Sequence, residues 1–67
     1  MFVIGEEFIE ETEHNTTHYI ITRVENDYVY AKKIFNKEKN LYSDYERKFS
    51  KKELIEGDTF ASYWFKK

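Results

Sequence analysis

Two histidines four residues apart, His14 and His18, stand close to several carboxylates and could in principle hold a metal ion. On a helix this spacing would place both imidazoles on one side, as in zinc-binding helices. The residues between them, Asn15-Thr16-Thr17, instead indicate a turn, because asparagine tolerates left-handed backbone and threonine hydroxyls bond to nearby backbone groups. On a hairpin the two rings need not converge. We therefore interpret both as solvated loop histidines and predict neither a metal site nor a cofactor.

Acidic residues are concentrated near the start of the sequence, between positions 6 and 13. On a strand they would form a localised negative surface that could dock on a basic patch of another protein or imitate nucleic-acid phosphates. The competing interpretation is that these charges keep an edge strand soluble and unpaired. The predicted acidic surface comprises Glu6, Glu7, Glu10, Glu11 and Glu13.

Tyrosines and basic residues are interleaved between positions 28 and 52. Six tyrosines cannot all be buried cheaply, because each hydroxyl needs a hydrogen-bond partner. Exposed tyrosine and arginine are enriched at protein-protein hot spots, and the same mixture suits single-stranded nucleic acid. The net charge of −2 argues against nucleic acid, since domains that bind it are usually strongly basic. The predicted partner-binding residues are Tyr28, Tyr30, Lys32, Tyr42, Tyr45, Arg47 and Lys48.

Residues that catalysis would need are scarce. Cysteine is absent, and the only glycines, Gly5 and Gly57, are isolated, so there is no glycine-rich phosphate loop. An enzyme needs a nucleophile, an acid-base pair or a metal within a concave pocket. A small barrel has its interior filled by side chains and leaves little room for a substrate. We therefore predict that the chain is not an enzyme.

Five segments are predicted to be strands because they are rich in β-branched and aromatic residues and are separated by turn-forming residues. They are 7–13, 17–25, 28–35, 41–49 and 59–65, with a helix as the alternative for the last. Asn26-Asp27 predicts a two-residue hairpin turn. A turn that tight pairs Val24 with Val29, Thr22 with Ala31 and Ile20 with Lys33, and this face is predicted to line the core. The opposite, exposed face then carries Tyr19, Ile21, Arg23, Tyr28, Tyr30 and Lys32.

A short helix at 51–56 is the sharpest local prediction. Ser50 and Glu53 form a capping box, in which each side chain bonds to the backbone N–H of the other residue. Phe49 and Leu54 are placed to form the matching hydrophobic staple. Gly57 can then end the helix with a positive φ angle.

The core must be built from large side chains, because 67 residues give a marginal core and no cysteine is present to reinforce it. The chain has six Phe, six Tyr and one Trp. Each buried ring removes roughly 150 to 250 Å² from water. The residues predicted to hold the core together are Phe8, Phe35, Phe49, Phe60 and Trp64.

Four strands, a helical turn and a last strand, joined by short loops, resemble the order of elements in a small SH3-like barrel. The resemblance is architectural and covers the whole chain. It implies one all-β domain over 1–67, either a five-stranded barrel or a strongly bent antiparallel sheet with one helical turn. Such barrels host many unrelated activities.

We expect a small cytoplasmic binding protein without a membrane partner. No apolar run approaches the roughly 20 residues that cross a bilayer, and the first residues lack the basic region of a signal peptide. The expected function is to modulate or inhibit a protein partner by covering a functional surface, the format of a phage or mobile-element accessory protein. The first alternative is a nucleic-acid-binding barrel that uses Lys32, Lys33, Arg47 and Lys48 with Tyr28, Tyr30, Tyr42 and Tyr45. The second alternative is a structural homo-oligomer.

Overall fold

The computed structural model describes residues 1–66, which form six β-strands and one α-helix. The strands are β1 (Glu7–Thr12), β2 (Thr16–Val24), β3 (Tyr28–Asn36), β4 (Leu41–Tyr42), β5 (Arg47–Ser50) and β6 (Ala61–Phe65). The helix α1 (Lys51–Glu56) lies between β5 and β6. The prediction of a mainly-β fold with one short helix is confirmed, and the segment 59–65 contains the predicted strand, over Ala61–Phe65, and not the alternative helix.

The strands form one antiparallel sheet in the order β4-β3-β2-β1-β6, and β5 pairs with β3 on the same side as β4. No strand pairing joins β5 to β6 within residues 1–66, so the sheet does not close into a barrel. The rings of Phe49 in β5 and Tyr63 in β6 nevertheless lie 5.9 Å apart. The sheet therefore bends until its two ends face each other. We call the gap between β5 and β6 the seam.

The predicted strand 41–49 is interrupted at Ser43, which is buried. Its hydroxyl accepts the N–H of Lys33 at 2.9 Å and donates to the carbonyl of Tyr45 at 3.0 Å. Its own N–H donates to the carbonyl of Lys33 at 3.0 Å. These bonds fix residues 43–46 as a loop, and the segment becomes two separate strands, which raises the number of strands from five to six.

A β-bulge between Ile21 and Arg23 changes the register of β2 against β3. Val24 pairs with Val29 as predicted, but Ile21 pairs with Ala31, so Thr22 has no partner in the ladder. The Thr22 hydroxyl bonds instead to the Glu46 carboxylate. An extra residue shifts the alternation of side chains by one, so the part of β2 before the bulge turns over.

The core-facing side of β2 is therefore the opposite of the predicted one. Tyr19 and Ile21 are buried on the inner face of the sheet, the side that holds the core, while Ile20 lies half-buried on the outer face. Val29 and Ala31 of β3 are buried as predicted. The bulge explains why the prediction succeeds for one strand and is wrong for its neighbour.

The core has an aromatic centre of three rings, those of Phe8, Tyr19 and Phe49, whose centroids are 5.1 to 5.3 Å apart. The smaller residues Ile21, Val29, Ala31 and Leu54 complete the buried cluster, against which Tyr63 and Phe65 pack. Dense aromatic packing of this kind supplies much of the driving force that a short chain needs.

Three aromatic residues predicted for the core lie at the surface: Phe35, Phe60 and Trp64 are 67, 82 and 59% exposed. Successive strand side chains point to opposite faces, and Tyr63 and Phe65 of β6 take the inward positions. Trp64 consequently points outward.

The helix begins after Ser50 and ends at Gly57 as predicted, and of the two capping-box hydrogen bonds the described residues show the one that Ser50 accepts. The Ser50 hydroxyl accepts the N–H of Glu53 at 3.0 Å, and Gly57 ends the helix with a φ of 82°. Phe49 and Leu54 meet in the core cluster. None of the described residues forms a helix that is long and apolar enough to cross a membrane.

The neighbours Ile20 and Ile21 test the bulge directly. We expect Ile21→Ala to lower the free energy of unfolding by about 3 kcal/mol, because it opens a cavity in the core. The matched change Ile20→Ala should cost about 1 kcal/mol, because this side chain is half exposed on the outer face. Urea unfolding measures both. A larger loss for Ile20→Ala would mean that β2 faces the other way.

Candidate binding surface

Four of the seven predicted partner-binding residues meet on the outer face, near the turn between β2 and β3. Tyr28, Tyr30 and Lys32 alternate along β3, and Lys48 of β5 pairs with Tyr30. Arg23 of β2 pairs with Tyr30 from the other side and joins the group. We call these five residues the tyrosine-cation face.

Two cations of this face lie against its rings. The guanidinium carbon of Arg23 is 3.9 Å from the ring centroid of Tyr30, and Nζ of Lys48 is 3.9 Å from that of Tyr28. Both distances are well inside the roughly 6 Å range of cation-π interactions. The pairs hold the positive charges in place and cover one side of each ring.

The remaining predicted residues lie elsewhere. Tyr42 pairs with Ile34 in the short strand β4 and is half buried, while Tyr45 is exposed in the 43–46 loop. Lys33, from the nucleic-acid alternative, alternates with Lys32 along β3 and so points to the inner side. The structure therefore divides the predicted surface into one cluster and several separate residues.

Arg47 of β5 and Glu10 of β1 form an ion pair on the inner face beside the seam. Nη1 of Arg47 donates to Oε1 of Glu10 at 3.0 Å, and Nη2 lies 3.0 Å from Oε2. Nη1 also donates to the Tyr19 hydroxyl at 2.7 Å, and the Tyr63 hydroxyl donates to Oε2 of Glu10 at 3.0 Å. We call these four residues the seam network.

The structure therefore places Arg47, predicted for the partner surface, and Glu10, predicted for the acidic surface, in the seam network. Both point to the inner face, because each lies two residues from a buried phenylalanine, Phe49 or Phe8, on the same strand. Glu10 is only 8% exposed. The Arg47 guanidinium carbon also lies 4.4 Å from the Phe49 ring centroid. Every buried side-chain nitrogen and oxygen of residues 1–66 has a hydrogen-bond partner, so the network is fully satisfied.

Burial and hydrogen bonding set the protonation states of the seam network. Burial raises the pKa of Tyr63, and the hydrogen bond that its hydroxyl donates to Glu10 raises it further. Burial also raises the pKa of Tyr19, although the hydrogen bond from Arg47 opposes this shift. For Arg47, burial lowers the pKa, but the bonds to Glu10 and Tyr19 outweigh burial and raise the pKa overall. At neutral pH the network therefore contains an arginine cation and two neutral phenols.

The predicted acidic surface is divided among several environments. Glu7 bonds to Lys37 and lies 3.6 Å from Lys66. The hydrogen bond from Lys37 is the main cause that lowers the pKa of Glu7, against the opposing effect of burial. Glu6 accepts the N–H of Val3 at 3.2 Å. Glu11 and Glu13 border an open depression of about 490 Å³ that Asp58 and Phe60 also line.

The two histidines lie in different structural elements. His14 is exposed in the turn between β1 and β2, with Nε2 4.0 Å from the Glu13 carboxylate. His18 lies half-buried within β2 and pairs with Ile9, so the prediction that it is a solvated loop residue is wrong. In the part of the chain that the structure describes, no three His, Cys, Asp or Glu side chains are grouped to hold a metal ion.

Sequence reasoning missed the exposed outer side of β6, where Trp64 stands beside Ile9 of β1. It also missed Tyr19 and Tyr63 as buried hydroxyl partners of a charged pair. The alternation Tyr63-Trp64-Phe65 carries a usable signal, because three consecutive aromatic residues on a strand cannot all point inward.

Comparisons of the chain with protein-family models, curated proteins and solved structures found no match. A functional proposal for this chain therefore rests on its own surface chemistry.

Replacing Arg47 tests the seam network. We expect Arg47→Ala to lower the free energy of unfolding by about 2 kcal/mol, because it leaves the Glu10 carboxylate buried without its cation. The adjacent change Lys48→Ala, on the outer face, should leave stability nearly unchanged. Denaturant unfolding of Arg47→Ala, Glu10→Ala and the double variant gives the coupling energy. Strictly additive effects would show that the two side chains do not interact.

The raised pKa of Tyr63 predicts a pH dependence of stability. The folded protein holds this phenol proton more tightly than the unfolded chain, in which phenols titrate near pH 10. The resulting stabilisation is complete below about pH 10 and is lost as the pH rises through the raised pKa. Tyr63→Phe keeps the ring and removes the titrating group. Its free energy of unfolding should therefore fall less steeply than that of the wild type between neutral pH and about pH 11. Equal slopes would contradict the proposed burial of this hydroxyl.

Proposed function

We propose that this chain is a small, non-catalytic binding protein that engages a protein partner through the tyrosine-cation face. In this proposal it modulates or inhibits its partner by covering part of a functional surface, as cytoplasmic accessory proteins of phages and mobile elements do. The fold would be an open variant of the SH3-like barrel, with β6, β1, β2, β3 and β5 in barrel order and α1 across the seam.

The observation that carries this proposal is the stacking of Arg23 on Tyr30 and of Lys48 on Tyr28. Core packing does not require these four side chains, since Arg23, Tyr28 and Lys48 are exposed and Tyr30 lies on the outer face. A cation held by a ring loses less side-chain entropy on binding than a freely rotating one. Preorganised positive charge beside aromatic surface is suited to a partner segment that carries carboxylates and apolar side chains.

The same observation favours protein over nucleic acid as the partner. Base stacking needs open ring faces. Here a cation already covers one side of both Tyr28 and Tyr30. Carboxylates of a protein can pair with Arg23 and Lys48 while the rings remain covered.

The nucleic-acid alternative keeps one supporting observation, because Lys32 and Lys48 lie on the same face as Arg23. It predicts binding that is steep in salt, since each neutralised phosphate releases counterions. The two classes are separated by fluorescence anisotropy with two labelled probes of equal charge, an acidic peptide and an oligothymidine. Tighter binding of the peptide supports the proposal. Tighter binding of the oligothymidine would show that the tyrosine-cation face binds nucleic acid instead.

Two exposed lysines provide a matched test of the face. We expect Lys48→Ala to weaken binding of the acidic peptide severalfold, because it removes a cation that Tyr28 positions. Lys52→Ala, which removes an equal charge from α1, should change the affinity little. Tyr30→Ala should weaken binding and leave the fold intact, as circular dichroism and thermal unfolding would show. Equal losses of affinity for Lys48→Ala and Lys52→Ala would show that binding depends only on net charge, which would contradict a specific role of the tyrosine-cation face.

Affinity capture from a host lysate, with and without nuclease, then extends the test to natural partners. A protein that the wild-type chain and Lys52→Ala retain, but Lys48→Ala loses, supports the proposal. Captured material that disappears after nuclease treatment supports the nucleic-acid alternative.

A further inference from the structure

The free edge of β6 has the chemistry of a pairing surface. In the sheet described by residues 1–66, β6 pairs only with β1. The N–H of Lys66 donates to the carbonyl of Glu7 at 3.0 Å, so the backbone groups of Trp64 and Ser62, by antiparallel alternation, also point toward β1. Those of Tyr63 and Phe65 point away from it. Ala61 points the same way but exchanges two hydrogen bonds with Asp58.

This edge lacks the usual protection against pairing with another chain. Natural edge strands carry charged residues, proline or bulges that discourage such contacts. Residues 59–65 contain no charged residue and no proline, and β6 has no bulge against β1. The outward side chain at its centre, Trp64, is 59% exposed and lies next to Ile9, which forms an apolar strip at the sheet margin.

We propose that two copies of this chain associate through an antiparallel β6–β6 pair whose two-fold axis passes beside Trp64. This register joins Tyr63 of each copy to Phe65 of the other, which uses the four backbone N–H and C=O groups of these two residues in each copy. It places the two Trp64 side chains directly opposite each other, flanked by Ile9 on either side. The result is one continuous sheet with an isologous interface. The tyrosine-cation face takes no part in it.

Charge complementarity supports a second copy as the occupant of this edge. The register sets Ser62 of one copy opposite Lys66 of the other, and Glu11 is the neighbour of Ser62 within its own sheet. Glu7 is the neighbour of Lys66, at 3.6 Å. Each Lys66 would therefore lie between carboxylates of both copies, Glu7 of its own and Glu11 of the other, across the small side chain of Ser62. Opposite charges in such cross-strand positions are favourable.

The single tryptophan gives the test an unambiguous signal. Two indoles in contact produce an exciton-coupled pair of bands in far-ultraviolet circular dichroism, which one indole in a monomer cannot produce. We expect sedimentation equilibrium to show a rise toward twice the chain mass with concentration, and the coupled bands to grow in parallel. A single-chain mass up to about 1 mM, a concentration that corresponds to only about 4 kcal/mol of association free energy, would overturn the proposal.

Ser62 and Phe60 supply register-specific controls. Ser62→Lys places a lysine of one copy opposite Lys66 of the other at two symmetric positions, so we expect the dissociation constant of the dimer to rise about fivefold. Ser62→Glu places opposite charges at the same positions and should lower this constant by a similar factor. Phe60→Ser removes an aromatic side chain that is 82% exposed but lies outside the paired stretch, and it should leave association unchanged. A loss of association in Phe60→Ser, or equal effects of the two Ser62 changes, would contradict this register. Because neither control alters Tyr30 or Lys48, binding of the acidic peptide measured on the same variants is independent of this outcome.

Discussion

The carboxylate of Glu10 joins the two ends of an open sheet. It extends from β1 and receives hydrogen bonds from Arg47 of β5 and from Tyr63 of β6, the two strands that no backbone ladder connects. A two-pronged arginine-carboxylate pair tolerates little error in geometry, and a buried charge is costly when its partners are missing. The network therefore links β5 to β1 and β6 by side chains where no backbone ladder does so. Tyr19 can take part in the network only because the bulge in β2 turns its side chain inward. The helix α1 spans the gap between β5 and β6.

Sequence patterns predicted the structural features that depend on residues close together along the chain. The capping box at Ser50 needs only Glu53, and the strands around Asn26-Asp27 follow from composition and a turn. The bulge at Thr22 could not be predicted in this way. The carboxylate that accepts the hydrogen bond of the Thr22 hydroxyl belongs to Glu46, which is 24 residues away. The same limit applies to Arg47 and Glu10: charged residues are usually exposed, and only a contact across 37 residues buries Glu10 and turns Arg47 toward it. The prediction that Tyr19 is exposed was wrong for the related reason that a hydroxyl can be buried once a charged partner accompanies it.

Four aromatic residues, one each from β1, β2, β5 and β6, surround the ion pair of Arg47 and Glu10. This arrangement also determines which side chains remain on the outer face. The cations of β2 and β5 that do not reach Glu10 lie on the rings of β3, at one end of the outer face. Trp64 emerges at the far margin of the sheet, three strands away from Tyr30. The two surfaces do not overlap, so a chain paired through β6 would still present its tyrosine-cation face, and two copies would present it twice. Bivalent display of this kind raises effective affinity without any new contact.

The seam joins positions that are distant along the chain, with separations of 28, 37 and 53 residues for the three hydrogen-bonded pairs of its network. Long loops must close before these bonds form, whereas the two hairpins of β1, β2 and β3 need only local contacts. A partly folded sheet that collapsed early would bury Glu10 before Arg47 and Tyr63 arrived, and it would bear the cost of desolvating a lone carboxylate. The carboxylate of Glu10 would therefore raise the free energy of compact states in which the strand containing Tyr63 has not yet docked.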